Sequence, residues 1–420
     1  MTDWQYVSLG ELVTVRHGFA FKGAFFEGEG DQLVLTPGNF SIGGGLQLRD
    51  GKERFYSGPY PDEYRLSPGE LLVAMTDLTQ DSPILGSPLL IPQDGVFLHN
   101  QRLGKVEILD ENLLDKGFLY YLFVSDIVRS QLRGSATGST VRHTAPGRIC
   151  AARIQLPPLD VQKKIAAILS AYDDLIENNN RRIRLLEEMA QRIYREWFVD
   201  FRYPGHEGVP LVDSELGLIP EGWNWKQLRD IADEVRISVD PSTIDPGTPY
   251  VGLEHMPERS IALSEWGMAG SAGSRKFRFL IGDVLFGKIR PYFHKVSVPS
   301  VEGICSTDAI VIRNRTPGTY GLVLAVVSSE AFVSEAVQSS QGTKMPRANW
   351  GVLEKYPVAI PPQALLERFN SFASDTVSLI HRMVNANRNL RSTRELLLPR
   401  LISGKVDVTD LDIALVENAA

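Results

Sequence analysis

The sequence has little cysteine: two residues, Cys150 and Cys305, in 420. Two thiols in different halves exclude a disulfide framework and are too few for a thiolate metal site, so a reducing cytoplasm is expected. No run of about 18 apolar residues occurs, which predicts no transmembrane helix and no membrane partner. The opening MTDWQYVSLGEL lacks a basic stretch followed by an apolar core, so no signal peptide is expected. The seven histidines are dispersed with no His-x-x-x-His pair, and no metal ligand is assigned. No catalytic residue is assigned either. Gly282 to Lys288 has the spacing of a phosphate-binding loop, but Ile289 replaces the hydroxyl that would hold magnesium. Three apolar residues also fill that loop, so it reads as a strand after a turn, with Pro68 to Met75 as its counterpart. Gly43-Gly44-Gly45 lacks the strand-glycine-helix order of a dinucleotide fingerprint and reads as a turn.

What the chain does have is a long seam between Asp160 and Asp200. Ile165, Leu169, Tyr172, Ile176, Ile183, Leu186, Ala190, Ile193 and Trp197 recur in alternating steps of four and three, with Asn179 as the interruption. Such spacing predicts a long helix with a narrow apolar stripe, paired with another helix. Its partner lies 204 residues on, counting from Pro157 to Pro361. Phe369, Ile380, Met383, Asn387, Leu390 and Leu397 keep the same frame, with Thr376 and Arg394 also on the seam and Pro399 expected to end the helix. The Pro-Pro pairs before the helices and the loop glycines Gly138 and Gly342 share the offset, which indicates a tandem duplication.

The expected class is α+β: two tandem globular domains of mixed helix and strand, each followed by a long helix, the helices forming an antiparallel coiled coil. The expected divisions are a first domain at 1–156, a helical spacer at 157–203, a linker and second domain at 204–360, a second spacer at 361–403 and a frayed tail at 404–420. Short strands are expected at 33–35, 71–75, 88–91 and 103–108, and single helices at 118–132 and 320–337. A rotation of about 180° between duplicated units makes the long helices antiparallel. With the pseudo-dyad at Arg181 and Asn385, opposed residue numbers sum to 566, which places Asn179 against Asn387. A seam amide fixes register when its polar atoms are paired.

The net charge of −7 argues weakly against a nucleic-acid partner, yet basic clusters occur in both halves. Residues 129–159 carry five arginines and no acid; residues 271–300 carry six cations, among them Arg275, Lys276 and Arg278, against Asp283 alone. Polar loops precede each long helix. Thr137, Ser139, Thr140, Arg142 and His143 lie in one, and Thr343, Lys344, Arg347 and Asn349 in the other. Hydroxyl, guanidinium and ammonium groups are what phosphate and base-edge contacts use. A plain surface loop with turn chemistry is the alternative for each.

LPPLDVQKKIAAILSAYDDLIENNNRRIRLLEEMAQRIYREWFVDFR resembles the central helical region of type I restriction-modification specificity subunits. LGLIPEGWNWKQL is similar to the start of that family's second target-recognition domain, and LLLPRLISGKV to the close of its second long helix. Pro361-Pro362-Gln363-Ala364 departs from the family's Pro-Leu-x-Glu-Gln pattern, and Leu366 stands where the first repeat has Gln162. The resemblance implies a non-catalytic subunit reading a bipartite, asymmetric target in double-stranded DNA. It implies docking of two modification (methyltransferase) subunits, which bring S-adenosylmethionine, and of restriction (nuclease-translocase) subunits, which bring ATP and Mg2+. The competing readings are a coiled-coil protein adaptor and the recognition part of a single-chain methyltransferase-nuclease.

Overall fold

The computed structural model describes residues 4–48, 51–138, 141–316, 318–342 and 344–413. The chain forms two compact units, one of residues 1–174 with 391–420 and one of residues 175–390. Each unit therefore takes a piece of both long helices, Leu159–Tyr194 and Gln363–Ile402. The first helix ends in a π-helical turn, Arg195–Val199, which seats Phe198 against Phe369 at 4.7 Å between ring centroids.

Both units have the same internal plan. In the first, an antiparallel sheet runs in the order Val13–His17, Leu103–Ile108, Leu71–Ala74, Pro88–Leu90. In the second the order is Ala232–Glu234, Ala309–Asn314, Val284–Gly287, Val296–Ser297. The stretch with phosphate-loop spacing thus holds a fully buried central strand, Val284–Gly287, at the same place as Leu71–Ala74. A separate two-stranded ladder joins the start of each domain to the strand that runs into Pro-Pro: Gln5–Ser8 with Arg153–Leu156, and Asn224–Gln227 with Pro357–Ile360. Each unit also holds a second sheet, of four strands in the first and five in the second, with one parallel pair: Gln32–Leu35 with Val96–His99 and Pro249–Val251 with Gly303–Cys305.

The helical stretches expected at 118–132 and 320–337 are each two helices: Lys116–Val124 and Asp126–Ser135, then Tyr320–Val327 and Glu330–Gln338. A serine breaks each. Ser125 and Ser329 adopt extended backbone, and their hydroxyls donate to Leu122 O and Val326 O. Local bonding of this kind competes with helix continuation. Gly117 and Gly321 let these helices press on the long ones. A Cβ added there would lie 2.9 Å from Ala166 Cβ and 2.6 Å from Ala373 Cβ respectively.

Within each unit the long helices run antiparallel. In the second unit Ile183 packs with Ile380 and Val384, and Asn179 Nδ2 donates to Asn387 Oδ1 at 2.8 Å. Asn387 Nδ2 in turn donates to Asn180 Oδ1 at 2.8 Å. In the first unit Asp173 pairs with Arg394, and Ile165 and Leu169 share a core with Leu398, Leu401 and Ile402. Ile165, Leu169, Ile176, Ile183, Phe369, Ile380 and Asn387 are buried, while Tyr172, Asn179, Leu186, Ile193, Met383, Leu390 and Leu397 are half-buried. Val377, Val384 and Leu398 are buried as well, so the stripe is wider than a strict heptad seam. The reason is a second neighbour: the globular part packs on the helix too, as where His381 Nε2 meets Val298 O at 3.1 Å.

Two terminal expectations are corrected. Pro399 does not end the second helix, which continues to Ile402. A mid-helix proline costs about 3 kcal/mol, and burying Leu401 and Ile402, each 1% exposed, offsets it. Nor is the described part of the tail frayed: Val408 lies in the core of the first unit, and Lys164 Nζ donates to Thr409 O. Residues 414–420 lie outside the described set. Among the described residues, no single helix is long and apolar enough to cross a membrane.

Candidate nucleic-acid interface

The two polar loops are built alike. Thr137 and His143 close the first by reciprocal backbone bonds of 3.0 and 2.8 Å; Gln341 and Arg347 close the second at 3.2 and 2.9 Å. Gly138 and Gly342 both sit at φ +101°. At Gly138 a Cβ would fall 2.0 Å from Val141 O, so the turn requires glycine. Each loop is rooted beside the segment that follows the central strand. Arg142 and His143 pair with Asp77 and Thr76, and Arg347 bridges to Ile289. A short helix follows each, Pro146–Cys150 and Trp350–Leu353. Closures of this kind fix the two ends of each loop on the packed scaffold.

The side chains differ in what remains free. Thr137 is exposed and its hydroxyl accepts from Arg148 at 3.0 Å. Arg142 is half-buried and donates to Arg133 O at 2.9 Å, near the end of a helix whose carbonyls attract cations. His143 is exposed, with Nδ1 3.0 Å from Thr76 Oγ1. Ser139, Thr140 and Thr343 lie outside the described residues. Lys344 is exposed, and Arg347 is exposed with Asp308 3.6 Å away. Arg275 and Arg278 are exposed, but Arg278 lies in a strand of the five-stranded sheet, Arg275 just before that strand, and neither in the loop.

Lys276 needs correcting as a free cation. It is 6% exposed, donates to Ser274 O and Oγ at 2.8 Å each, and lies 5.5 Å from the Tyr250 ring centroid. Of the arginines in the first cluster, Arg129 is also committed. It is buried and donates to Ile42 O at 2.7 Å, and desolvation pulls its guanidinium below the ordinary arginine range.

Residues around Tyr292 join the second loop although loop composition alone does not reveal them. Arg290 N donates to Pro346 O and Ala348 N to Lys288 O, both at 2.8 Å. Arg290 takes a left-handed φ of +49°, and Tyr292 is 49% exposed. The available signal was Lys288-Ile-Arg-Pro-Tyr292, cations and an aromatic at a turn. The matching segment of the first unit has different chemistry: Asp77 is buried and accepts from Thr79 N, Thr79 Oγ1 and Ile84 N, while Leu78 is exposed. The two loops share a frame and carry unlike side chains. Among the described residues no cluster of His, Cys, Asp or Glu is arranged to hold a metal ion.

Two units of one plan thus present equally clasped loops with unlike side chains, each packed on a share of the same two long helices. Residues 1–188 match the family described as the type I restriction modification DNA specificity domain. The chain is 24% identical over 364 residues to the MjaIX specificity subunit of Methanocaldococcus jannaschii, covering 82% of this chain and 76% of that one. It is 23% identical to the EcoDI specificity subunit of Escherichia coli, covering 66% and 67%. The solved S subunit of a type I restriction-modification system from M. genitalium has the same fold, with a TM-score of 0.58 at 13% identity over 95% and 96% of the two chains. Residues 1–188 thus carry the likeness to the type I restriction modification DNA specificity domain, and the chain as a whole is similar to type I specificity subunits in sequence and in fold.

Proposed function

We propose that this chain reads a bipartite, asymmetric target in double-stranded DNA, one part with each domain, 1–156 and 204–360. In this reading 157–203 and 361–403 are the spacers and 404–420 the tail. The observation that carries it is the pair of equally clasped loops with unlike side chains. One frame with two chemistries is what two different half-targets call for. Arg142, His143, Lys344, Arg347 and Arg290 are the groups placed to meet phosphates or base edges. Thr137 and the loop residues Ser139, Thr140 and Thr343 supply hydroxyls, and Arg275 and Arg278 a second basic edge.

The same reading has two modification subunits dock on the helices, with restriction subunits joining them. S-adenosylmethionine, ATP and Mg2+ belong to those partners. What supports docking is an exposed apolar stripe. Leu175 and Leu379 are 52% and 45% exposed and occupy one repeat position, since 175 plus 204 is 379. Leu185 and Met189 extend it. Large apolar side chains repeated on a helix surface mark an interface, and two equivalent positions suit two identical partners.

Replacing residues 1–156 by the matching domain of a relative, then mapping methylated bases in cells that hold the partner subunits, tests the reading. One half of the methylated sequence should change and the other persist. A change in both halves overturns modular reading, and failure of the intact complex to bind duplex DNA favours a protein adaptor.

A further inference from the structure

The second unit contains a cavity of about 370 Å³ between its share of the long helices and its globular part. Its floor is apolar: Val296, Leu324, Phe369 and Ile380 line it, each at most 5% exposed. The first unit has no need of such a space, because a polar plug occupies the equivalent position. There Tyr121 Oη donates to Asp173 at 2.7 Å, and Asp173 pairs with Arg394. The residues at the same repeat positions in the second unit are Ala325, Val377 and Ala190, each differing by 204, and all three line the cavity. A phenol ring, a carboxylate and a guanidinium have been replaced by two methyl groups and an isopropyl group.

The charge that remains is unbalanced. Glu187 reaches the cavity from the first helix, and its Oε1 accepts from Ser260 Oγ at 2.7 Å and Ile261 N at 2.8 Å. No cation is paired with it among the described residues: Arg184 pairs with Glu177 and Arg259 with Glu330. Desolvation raises its pKa against the opposing pull of its hydrogen bonds and of the Arg184 charge. His294, 8% exposed, also lines the cavity, and its Nδ1 has no hydrogen-bond partner. Glu330 Oε1 approaches that nitrogen only to 3.5 Å. Arg259 and His294 both adopt left-handed φ, +57° and +49°, and Arg259 N donates to His294 O at 3.0 Å. Two strained non-glycine residues thus fix one wall of the cavity.

We propose that this cavity binds a small aromatic cation, the ring standing where Tyr121 stands in the first unit and the charge answering Glu187 as Arg394 answers Asp173. The ring would lie on Leu324 and Phe369, and the cationic donor would meet the Glu187 carboxylate. The inference is independent of DNA reading, because it concerns the inner wall of one unit and not its loops.

Calorimetric titration of the full chain with benzamidine and tryptamine, against the neutral amide benzamide, tests it. Benzamidine should bind at one site per chain and raise Tm. Benzamide should bind at least about ten-fold more weakly, since a charge-assisted hydrogen bond is lost. Glu187→Gln should cost benzamidine about the same factor. Ala325→Tyr, which restores the first unit's own residue, should abolish binding without lowering Tm. Should that variant fail to fold, Glu187→Gln and the neutral amide still decide. No saturable binding at roughly millimolar ligand, where so small a molecule must show itself, overturns the proposal. So does equal binding of benzamidine and benzamide, or benzamidine binding unchanged by Glu187→Gln.

Discussion

Asn387 ties the two long helices together through its side-chain amide. It is 2% exposed and bonded to both Asn179 and Asn180. Asn387→Leu would strand two partly buried amides, so urea unfolding should show a loss of roughly 1–3 kcal/mol. The double variant Asn179→Leu/Asn387→Leu should lose less than the sum of its parts; additive losses would show that the amides do not act together. His99 sets a pH dependence. It is 2% exposed, its Nε2 lies 3.0 Å from Leu103 O, and burial pulls its pKa down to about 4. The unfolded chain takes up a proton near pH 6.5 and the folded chain does so only near pH 4. Stability is therefore full above pH 6.5 and falls by about 3 kcal/mol as the pH drops through that window. His99→Gln should flatten the profile measured by denaturant unfolding between those limits. Lys344 is an exposed cation of the second loop. If the loops meet phosphates, Lys344→Ala and Arg142→Ala should each weaken duplex binding in a salt titration and lower the logarithmic slope by about 1. Unchanged affinity and slope in both would place the DNA elsewhere.

At the scale of elements, the docking stripe gives a prediction with a count in it. Leu175→Asp and Leu379→Asp alter equivalent positions, so native mass spectrometry should show each single variant retaining one modification subunit and the double variant none. Loss of both partners from either single change would mean that the positions are not equivalent. The helices and their register were legible in the sequence because a step pattern of four and three has few other solutions, and because the only amide pair that matches it is Asn179 with Asn387. The width of the stripe was not, since Val377 and Val384 face a domain whose position no periodicity announces. Strand pairing was hidden for a different reason. Gln5–Ser8 pairs with Arg153–Leu156 across nearly the whole domain, and four residues carry too little pattern to name so distant a partner. In the candidate interface, residue type was legible and commitment was not. Lys276 and Arg278 look equivalent in sequence, yet the ammonium of one is held by Ser274 and only the other is exposed. Gln162 shows the same limit from the other side. It is fully buried and anchors the first long helix to Leu113 O, Pro157 O and Asp115 N, a role its polarity gave no hint of.

At the scale of the molecule, the first unit is closed by residues from the far end of the chain: Leu398, Leu401, Ile402 and Val408 complete its core. Order of synthesis and order of completion are then reversed. A ribosome making about 5–20 residues per second needs roughly 12 to 47 s to travel from residue 174 to residue 408. During that interval the first unit must wait with part of its apolar surface uncovered, while the second, drawn from the unbroken stretch 175–390, has every residue it needs. The half of the protein made later is therefore the half that can finish first, and the newborn chain is most open to proteases and chaperones in the part that left the ribosome earliest.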